Sequence, residues 1–391
     1  MDKNQSILLD FLRWFAAFLV VISHLRHLLF LDYKNVTDKT LLVKGFYFIS
    51  GFGHEAVVIF FIISGFLVGG SSLRKIQQGG FSIGHYAIHR FSRIYMVLIP
   101  ALLFGFIVDS LGLSFFNQSL LYTNSAQFQT ISLNFVISNN LSLIVLIGNI
   151  FMLNGIIVPH FGSNAPLWSL AYEWWYYGLF GIFLSLVLSR NEGKIRILYF
   201  IILIALLAVL PLKILLWGIL WMLGVTLIYA ENIRFKPGPI GAGLVFLLIL
   251  VGSRLSHSIN NLEHHESLYI EFGRDLLVGF GCFLLVAAFS MNSSLKLPGA
   301  KIHKKLADFS YTIYLIHFPL LIFLVASAHD LVRIRFFKQP DINGGVLFCI
   351  LLITIYVFGY MFSILTEART SEVRKFLSNK FEQMRTPEKS S

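Results

Sequence analysis

Residues 7–31 read ILLDFLRWFAAFLVVISHLRHLLFL, an apolar run broken only by Asp10, Arg13, Ser23, His24, Arg26 and His27. About 20 mostly apolar helical residues cross the hydrocarbon core of a bilayer, and this run is long enough. A secretory leader is shorter, carries a basic start and is not followed by more apolar runs. Residues 7–31 are therefore expected to form the first of several transmembrane helices.

The rest of the 391-residue chain supports that reading. It is 56% apolar and only 13% charged, with mean hydropathy +0.74. Soluble domains carry about twice that charge, so lipid is the solvent that fits. Further spans are expected at 55–70, 94–112, 167–189, 197–211, 213–230, 239–253, 272–291, 309–328 and 344–366. This gives an all-α, polytopic integral membrane protein with about ten transmembrane helices. Most lysines and arginines fall in alternate loops, which puts both termini in the cytoplasm. That count holds only if the apolar stretch 141–158 does not cross. It is expected to be re-entrant or to lie in the outer interface. Segment 113–166 has no Asp, Glu, Lys or Arg and many Ser, Asn and Gln, as would suit an uncharged lid or an ordinary outer loop. Residues 367–391 form a basic cytoplasmic tail after a membrane domain spanning 1–366.

The net charge of +11 does not indicate nucleic acid, because the basic residues sit in short loops where they orient a membrane protein. Cys282 and Cys349 lie in apolar runs and read as packing residues. His257, His264, His265 and Glu266 cluster without a metal-ligand spacing, and no metal is expected. His27 and Asp32 match the His-x4-Asp pattern of soluble glycerolipid acyltransferases, a pattern too short to carry weight. No internal repeat or inverted pair of broken helices points to a transporter.

Ionisable groups inside spans are costly, so each is a candidate for function. Asp10 and Arg13 can pair on one helical face. Arg13 and His24 are eleven residues apart, hence on one face and about 16 Å apart along the axis. Arginine needs an anionic partner, either Asp10 or a phosphate, whereas histidine suits proton transfer. A satisfied polar pair between helices would also explain Asp10 and Arg13. Glu173 lies in the aromatic stretch Trp168 to Tyr177, where an interfacial belt explains the rings but not the acid. Ser310, Tyr314 and His317 share a face, which fits either helix packing or a site. Arg90 and Arg93, near His85 and His89, fit a phosphate clamp or topological anchoring equally well.

Several of these stretches are familiar together. Leu9 to Ala17 with Val21 to His24, Gly53 to Phe66, Arg90 to Tyr95, Gly148-Asn149, Leu167 to Glu173, and Ser310 to His317 resemble, in order and spacing, the membrane acyltransferase-3 family. The resemblance covers residues 5–366. Members acylate hydroxyls of bacterial surface glycans and related molecules, using an acyl-coenzyme A donor thought to bind from the cytoplasm. It implies an acetyl-coenzyme A donor at Arg13, Arg90 and Arg93, no tightly bound cofactor, and His24 as the catalytic histidine. On this reading Glu173 orients His24 or the sugar, and Ser64, Tyr314 or His317 supports the thioester oxygen. Asp10, Glu55, Trp168 and Ser310 are supporting residues.

The expected function is acyl transfer, acetyl by family precedent, to a hydroxyl of O-antigen, exopolysaccharide, capsule or a lipid-linked precursor. The expected setting is the bacterial inner membrane, with lipids as neighbours and no nucleic-acid partner. A transporter or flippase of a glycan precursor is the alternative. A receptor or scaffold would leave the intramembrane charges unexplained.

Overall fold

The computed structural model describes residues 3–128, 132–188, 193–232, 238–260, 267–291 and 297–385. Among these residues the α-helices are α1 Lys3–Leu29, α2 Leu41–Ile49, α3 Gly53–Ser64, α4 Ser71–Gln77, α5 Ile83–Phe115, α6 Leu143–Ile150, α7 Leu167–Leu188 and α8 Gly193–Val209, followed by α9 Leu212–Thr226, α10 Pro239–Asn260, α11 Leu268–Met291, α12 Ala300–Ala307, α13 Ser310–Val332, α14 Ile342–Leu365 and α15 Thr370–Arg385. No strand occurs among the described residues. A helix satisfies its backbone internally, which lipid demands of any open segment that crosses it.

Eight helical stretches among these residues are long and apolar enough to cross a membrane: Lys3–Leu29, Leu41–Gln77, Ile83–Phe115, Leu212–Ala230, Pro239–Ser256, Leu268–Ser290, Ser310–Val332 and Ile342–Met384. The expected spans 167–189 and 197–211 fall on α7 and α8, which are not among the eight. The first half of α7 is aromatic and carries Glu173, and α8 has only 17 residues. The outer faces bear the lipid-type surface. Leu103 and Ile107 of α5, Leu248 of α10 and Ile353 and Met361 of α14 are all exposed.

Helix α1 sits at the centre, packed against α3, α11, α12, α13 and α14. That position shields its polar residues from lipid and hands them to neighbouring helices. Helix α3 passes into a π-helical turn, Gly65–Gly70, which packs on α9. The glycines make this crossing close. A Cβ on Gly65 would lie 1.9 Å from the Trp221 carbonyl oxygen, and one on Gly224 would lie 2.1 Å from that of Ile62.

Stretch 141–158 forms only the eight-residue α6, capped by Ser142, and then turns through Met152 and Gly155 at positive φ. Eight residues rise about 12 Å, too little to cross. Segment 113–166 packs into the bundle end: Leu121, Tyr122, Leu133 and Ile137 are fully buried. Polar ties hold it, among them three to α5, α1 and α13. Asp109 of α5 accepts from the Ser163 N–H and hydroxyl, each at 2.8 Å, beside Gly162 in the left-handed region. Ser132 meets His27 Nδ1 at 3.0 Å. Asn164 donates to the Leu315 carbonyl at 2.8 Å. Pro319 lies four residues after Leu315 and has no N–H, so that carbonyl would otherwise lack its helical partner.

Residues 367–385 stay with the bundle. Glu367 accepts from the Thr312 N–H and hydroxyl at 2.9 and 3.0 Å, and α15 packs on α5.

Candidate active site

A cavity of about 940 Å³ opens where the starts of α5 and α13, the end of α14, and α12 and α15 converge on α1. Arg13, Arg90, Arg93, Lys304, Lys305 and Arg374 line it, against Glu173, Asp308 and Glu367. Deeper in, Val57, Phe60, Phe61, Leu67 and Leu170 make an apolar lining. The lysines come from α12, whose eight residues carry Lys301, Lys304 and Lys305.

The cations are not equivalent. Arg93 forms an ion pair with Glu367 at 2.9 Å and lies over the Tyr311 ring. Lys304 reaches Asp308 at 3.1 Å. Arg13 is 3.8 Å from Asp10 and 3.4 Å from the Ala307 carbonyl. Arg90 packs over the rings of Tyr86 and Tyr177 and has no carboxylate partner among the described residues. Its Nε is buried without a hydrogen-bond partner.

Glu173 lies in a hydroxyl network on the cavity wall. Its Oε1 accepts short hydrogen bonds from Ser64 and Tyr177. Ser64 and Tyr177 are themselves 3.0 Å apart, and Trp221 Nε1 donates to Ser64 at 3.1 Å. No contact joins Glu173 to His24. Of the two roles expected for Glu173, orienting His24 or the sugar, the first is not made; Ser64 and Glu173 instead face each other from α3 and α7. Tyr177 follows Glu173 by one turn, a spacing visible in the sequence but unused there.

Behind the cavity lies a histidine pair. His24 Nδ1 is 2.8 Å from His317 Nε2, and the rings are nearly parallel at 7°. His317 is fully buried, and its Nδ1 lies 2.8 Å from the Tyr314 carbonyl and 3.1 Å from that of Ile313. Neither histidine lines the cavity, but Tyr314 does. Its ring is 6.0 Å from that of His317 and 5.6 Å from Phe60, and its hydroxyl meets Ser169 at 2.6 Å. Tyr314 thus touches both the basic cavity and the histidine pair.

The remaining expected residues lie as follows. Glu55 accepts from Ser253 at 2.9 Å, at the other end of α3 from Ser64. Trp168 packs edge-on against Phe61 and Tyr172. Ser310 donates to the Ala307 carbonyl at 2.9 Å and joins α12 to α13. His27 contacts Arg26 and Ser132, not an acid. His257, His264, His265 and Glu266 fall outside the residues whose side chains are described. Sequence reasoning missed Glu367, Tyr177, Trp221, Ser169, Lys305 and Arg374, which reach the site from distant parts of the chain.

Donor atoms of His54, Glu271 and Asp275 lie within 4.8 Å of one another at the start of α3 and α11. They are engaged pairwise, His54 with Asp275 in a hydrogen-bond contact at 2.8 Å and Glu271 with Lys213 in an ion pair at 2.9 Å. Together they tie α3, α9 and α11.

An apolar outer surface around a deep basic cavity defines a multi-pass membrane protein with an internal site. The chain belongs to the acyltransferase-3 family, whose model, described as an acyltransferase domain, matches residues 7–365. It is 23% identical over 345 residues to an O-acetyl transferase of Shigella phage Sf6, covering 83% of this chain and 88% of that one. A shorter match, 29% identical over 154 residues, is to an uncharacterized protein of Haemophilus influenzae, covering 37% of this chain and 55% of that one. No solved structure matches the chain.

Proposed function

We propose that the protein transfers an acetyl group from acetyl-coenzyme A to a hydroxyl of a cell-envelope polysaccharide, such as O-antigen, exopolysaccharide or capsule, or of its lipid-linked precursor. The observation that carries this reading is one continuous arrangement. A basic cavity lined by Arg90, which has no carboxylate partner among the described residues, ends on Tyr314, and Tyr314 abuts a histidine pair. Similarity to a phage O-acetyl transferase supports acetyl as the group and oxygen as its destination.

In this reading the basic end faces the cytoplasm of a bacterial inner membrane, and the chain crosses about ten times. Phosphates of the coenzyme sit on Arg90, with Lys305 and Arg374 at the mouth and Arg13 deeper. The thioester points past Ser64 and Phe60 toward Tyr314. The acceptor hydroxyl approaches His24 from the opposite end. His24 takes its proton as the oxygen attacks the thioester carbon. The C–O bond forms, the C–S bond breaks, and the coenzyme leaves as a thiolate that gathers a proton. Exclusion of water by the buried surroundings limits hydrolysis of the thioester.

The test is acetyl-coenzyme A binding by purified protein in detergent, alongside acetyl transfer. Saturable binding weakened about 10- to 100-fold in Arg90→Ala but kept in His24→Ala, with transfer lost in His24→Ala and reduced in Arg90→Ala, is the expected result. A folded sample that binds no acyl-coenzyme A overturns the reading and favours a flippase. Transfer that survives His24→Ala removes His24 from the chemistry.

A further inference from the structure

We infer that His317 is a positioning residue: it fixes the tautomer of His24 so that Nε2 of His24 is the atom that receives the acceptor's proton. This rests on the acyl-transfer reading above, and it assigns the two histidines different duties.

The argument starts from atoms that have no choice. A backbone carbonyl only accepts hydrogen bonds, and His317 Nδ1 faces two of them, at 2.8 Å on Tyr314 and 3.1 Å on Ile313. His317 Nδ1 therefore carries hydrogen. A neutral imidazole has one N–H, so His317 Nε2 offers a lone pair. His24 Nδ1 lies 2.8 Å from that lone pair. Two lone pairs at that distance would repel, so His24 Nδ1 carries hydrogen and donates it. His24 Nε2 is then the remaining lone pair.

The opposite arrangement needs a second proton on His317. That side chain is 0% exposed, and its polar contacts are the two carbonyls and His24, with no carboxylate among them. A charge there would be unpaired in an apolar interior, which is costly. Rigidity supports the same assignment. The Phe318 ring packs edge-on against His24 at 4.9 Å and limits rotation of the imidazole. His317 is held from its own helix, so the direction is passed from the α13 backbone to His317 and then to α1.

A proton-transfer role for His317 predicts a different outcome from a positioning role. Gln in place of His317 presents an amide oxygen near the old Nε2, which accepts from His24 Nδ1 but relays no proton. His317→Gln is expected to keep kcat within about tenfold of the parent. His317→Ala is expected to lose about 10²-fold or more in kcat, the scale of a misplaced general base. KM for acetyl-coenzyme A should stay within about twofold in both, since His317 does not line the donor cavity.

The deciding measurement is the ¹⁵N spectrum of histidine-labelled protein, with His24 assigned by its loss in His24→Gln. His24 is expected as the Nδ1–H tautomer in the parent and in His317→Gln, and as a mixture in His317→Ala. An Nε2–H tautomer in the parent overturns the inference. So does a folded His317→Gln as inactive as His317→Ala. The spectrum needs no acyl donor, so it stands apart from the function assigned above: a parent protein without transferase activity but with the Nδ1–H tautomer would overturn that function and leave the tautomer in place.

Discussion

Arg93 and Glu367 form an ion pair at 2.9 Å, joining the first third of α5 to the chain just past α14. The carboxylate side chain is only 3% exposed and also accepts from Thr312 at the start of α13. Three helices meet on one buried acid. Arg93 is thereby committed to structure, whereas Arg90 next to it is not.

This division separates two arginines that the Arg-x-x-Arg spacing presents as equals. Arg90→Ala is expected to weaken acetyl-coenzyme A binding about 10- to 100-fold at nearly unchanged melting temperature, the scale of a lost charge-assisted hydrogen bond. Glu367→Ala leaves Arg93 unpaired and should destabilise the protein by about 3 kcal/mol. Thermal unfolding beside donor titration distinguishes the two. Equal losses of affinity at unchanged stability in Arg90→Ala and Glu367→Ala would contradict the division.

Asn164 and Leu315 give a second test. Asn164 occupies a carbonyl that Pro319 leaves without its helical donor. Asn164→Leu keeps similar volume and removes the donor, with an expected cost of about 1–3 kcal/mol. Restoring an N–H by Pro319→Ala in the same chain should recover part of that loss. A double-mutant cycle with no coupling would refute the link.

At the crossing of α3 and α9, the backbones leave no room for a methyl group. Gly224→Ala would set a Cβ 2.1 Å from the Ile62 carbonyl oxygen, so the helices must separate. Displacement there carries Ser64 and Trp221 with it. The expected result is poor expression or a melting temperature lowered by several degrees, read by fluorescence size exclusion. Gly178→Ala, where nothing lies within 4 Å, should be silent and serves as the control.

His160 gives the pH dependence. It lies in the uncharged 113–166 segment, against Phe135 at 4.0 Å, with the Asn140 amide 3.4 Å from its Nε2. Burial pushes its pKa from 6.5 down to about 4. A folded pKa below the unfolded one means that the unfolded segment takes up the proton first. Stability is thus full above about pH 6.5 and falls as pH drops toward 4. Hydrogen exchange in residues 132–166 should rise across that window in the parent and stay flat in His160→Gln. Loosening confined to pH above 7 would refute the assignment.

Much of the fold was legible because lipid leaves a chain few options. Long apolar runs, a low charge content and the basic loops between them indicate an all-helical membrane protein, and the helices form where the runs predict. The doubtful places were those where composition is mixed. The aromatic first half of α7 and the short α8 weaken a count of ten. Stretch 141–158 looked long enough to enter the membrane, yet α6 ends after eight residues at Ile150, capped by Phe151 with Met152 at positive φ.

Residue types and helical spacing alone determined which groups were costly to bury: Asp10, Arg13, His24, Glu173 and His317 were marked because charge and polarity in apolar runs require partners. The sequence could not name those partners. His24 and His317 are 293 positions apart, Arg93 and Glu367 far apart as well, and Glu173 meets Ser64 rather than His24. Hydropathy is a local property, whereas hydrogen-bond direction and ion pairing depend on which helices pack together. Only the tertiary structure decided that Arg93 pairs with a buried acid while Arg90, three residues earlier, packs over two tyrosine rings at the cavity.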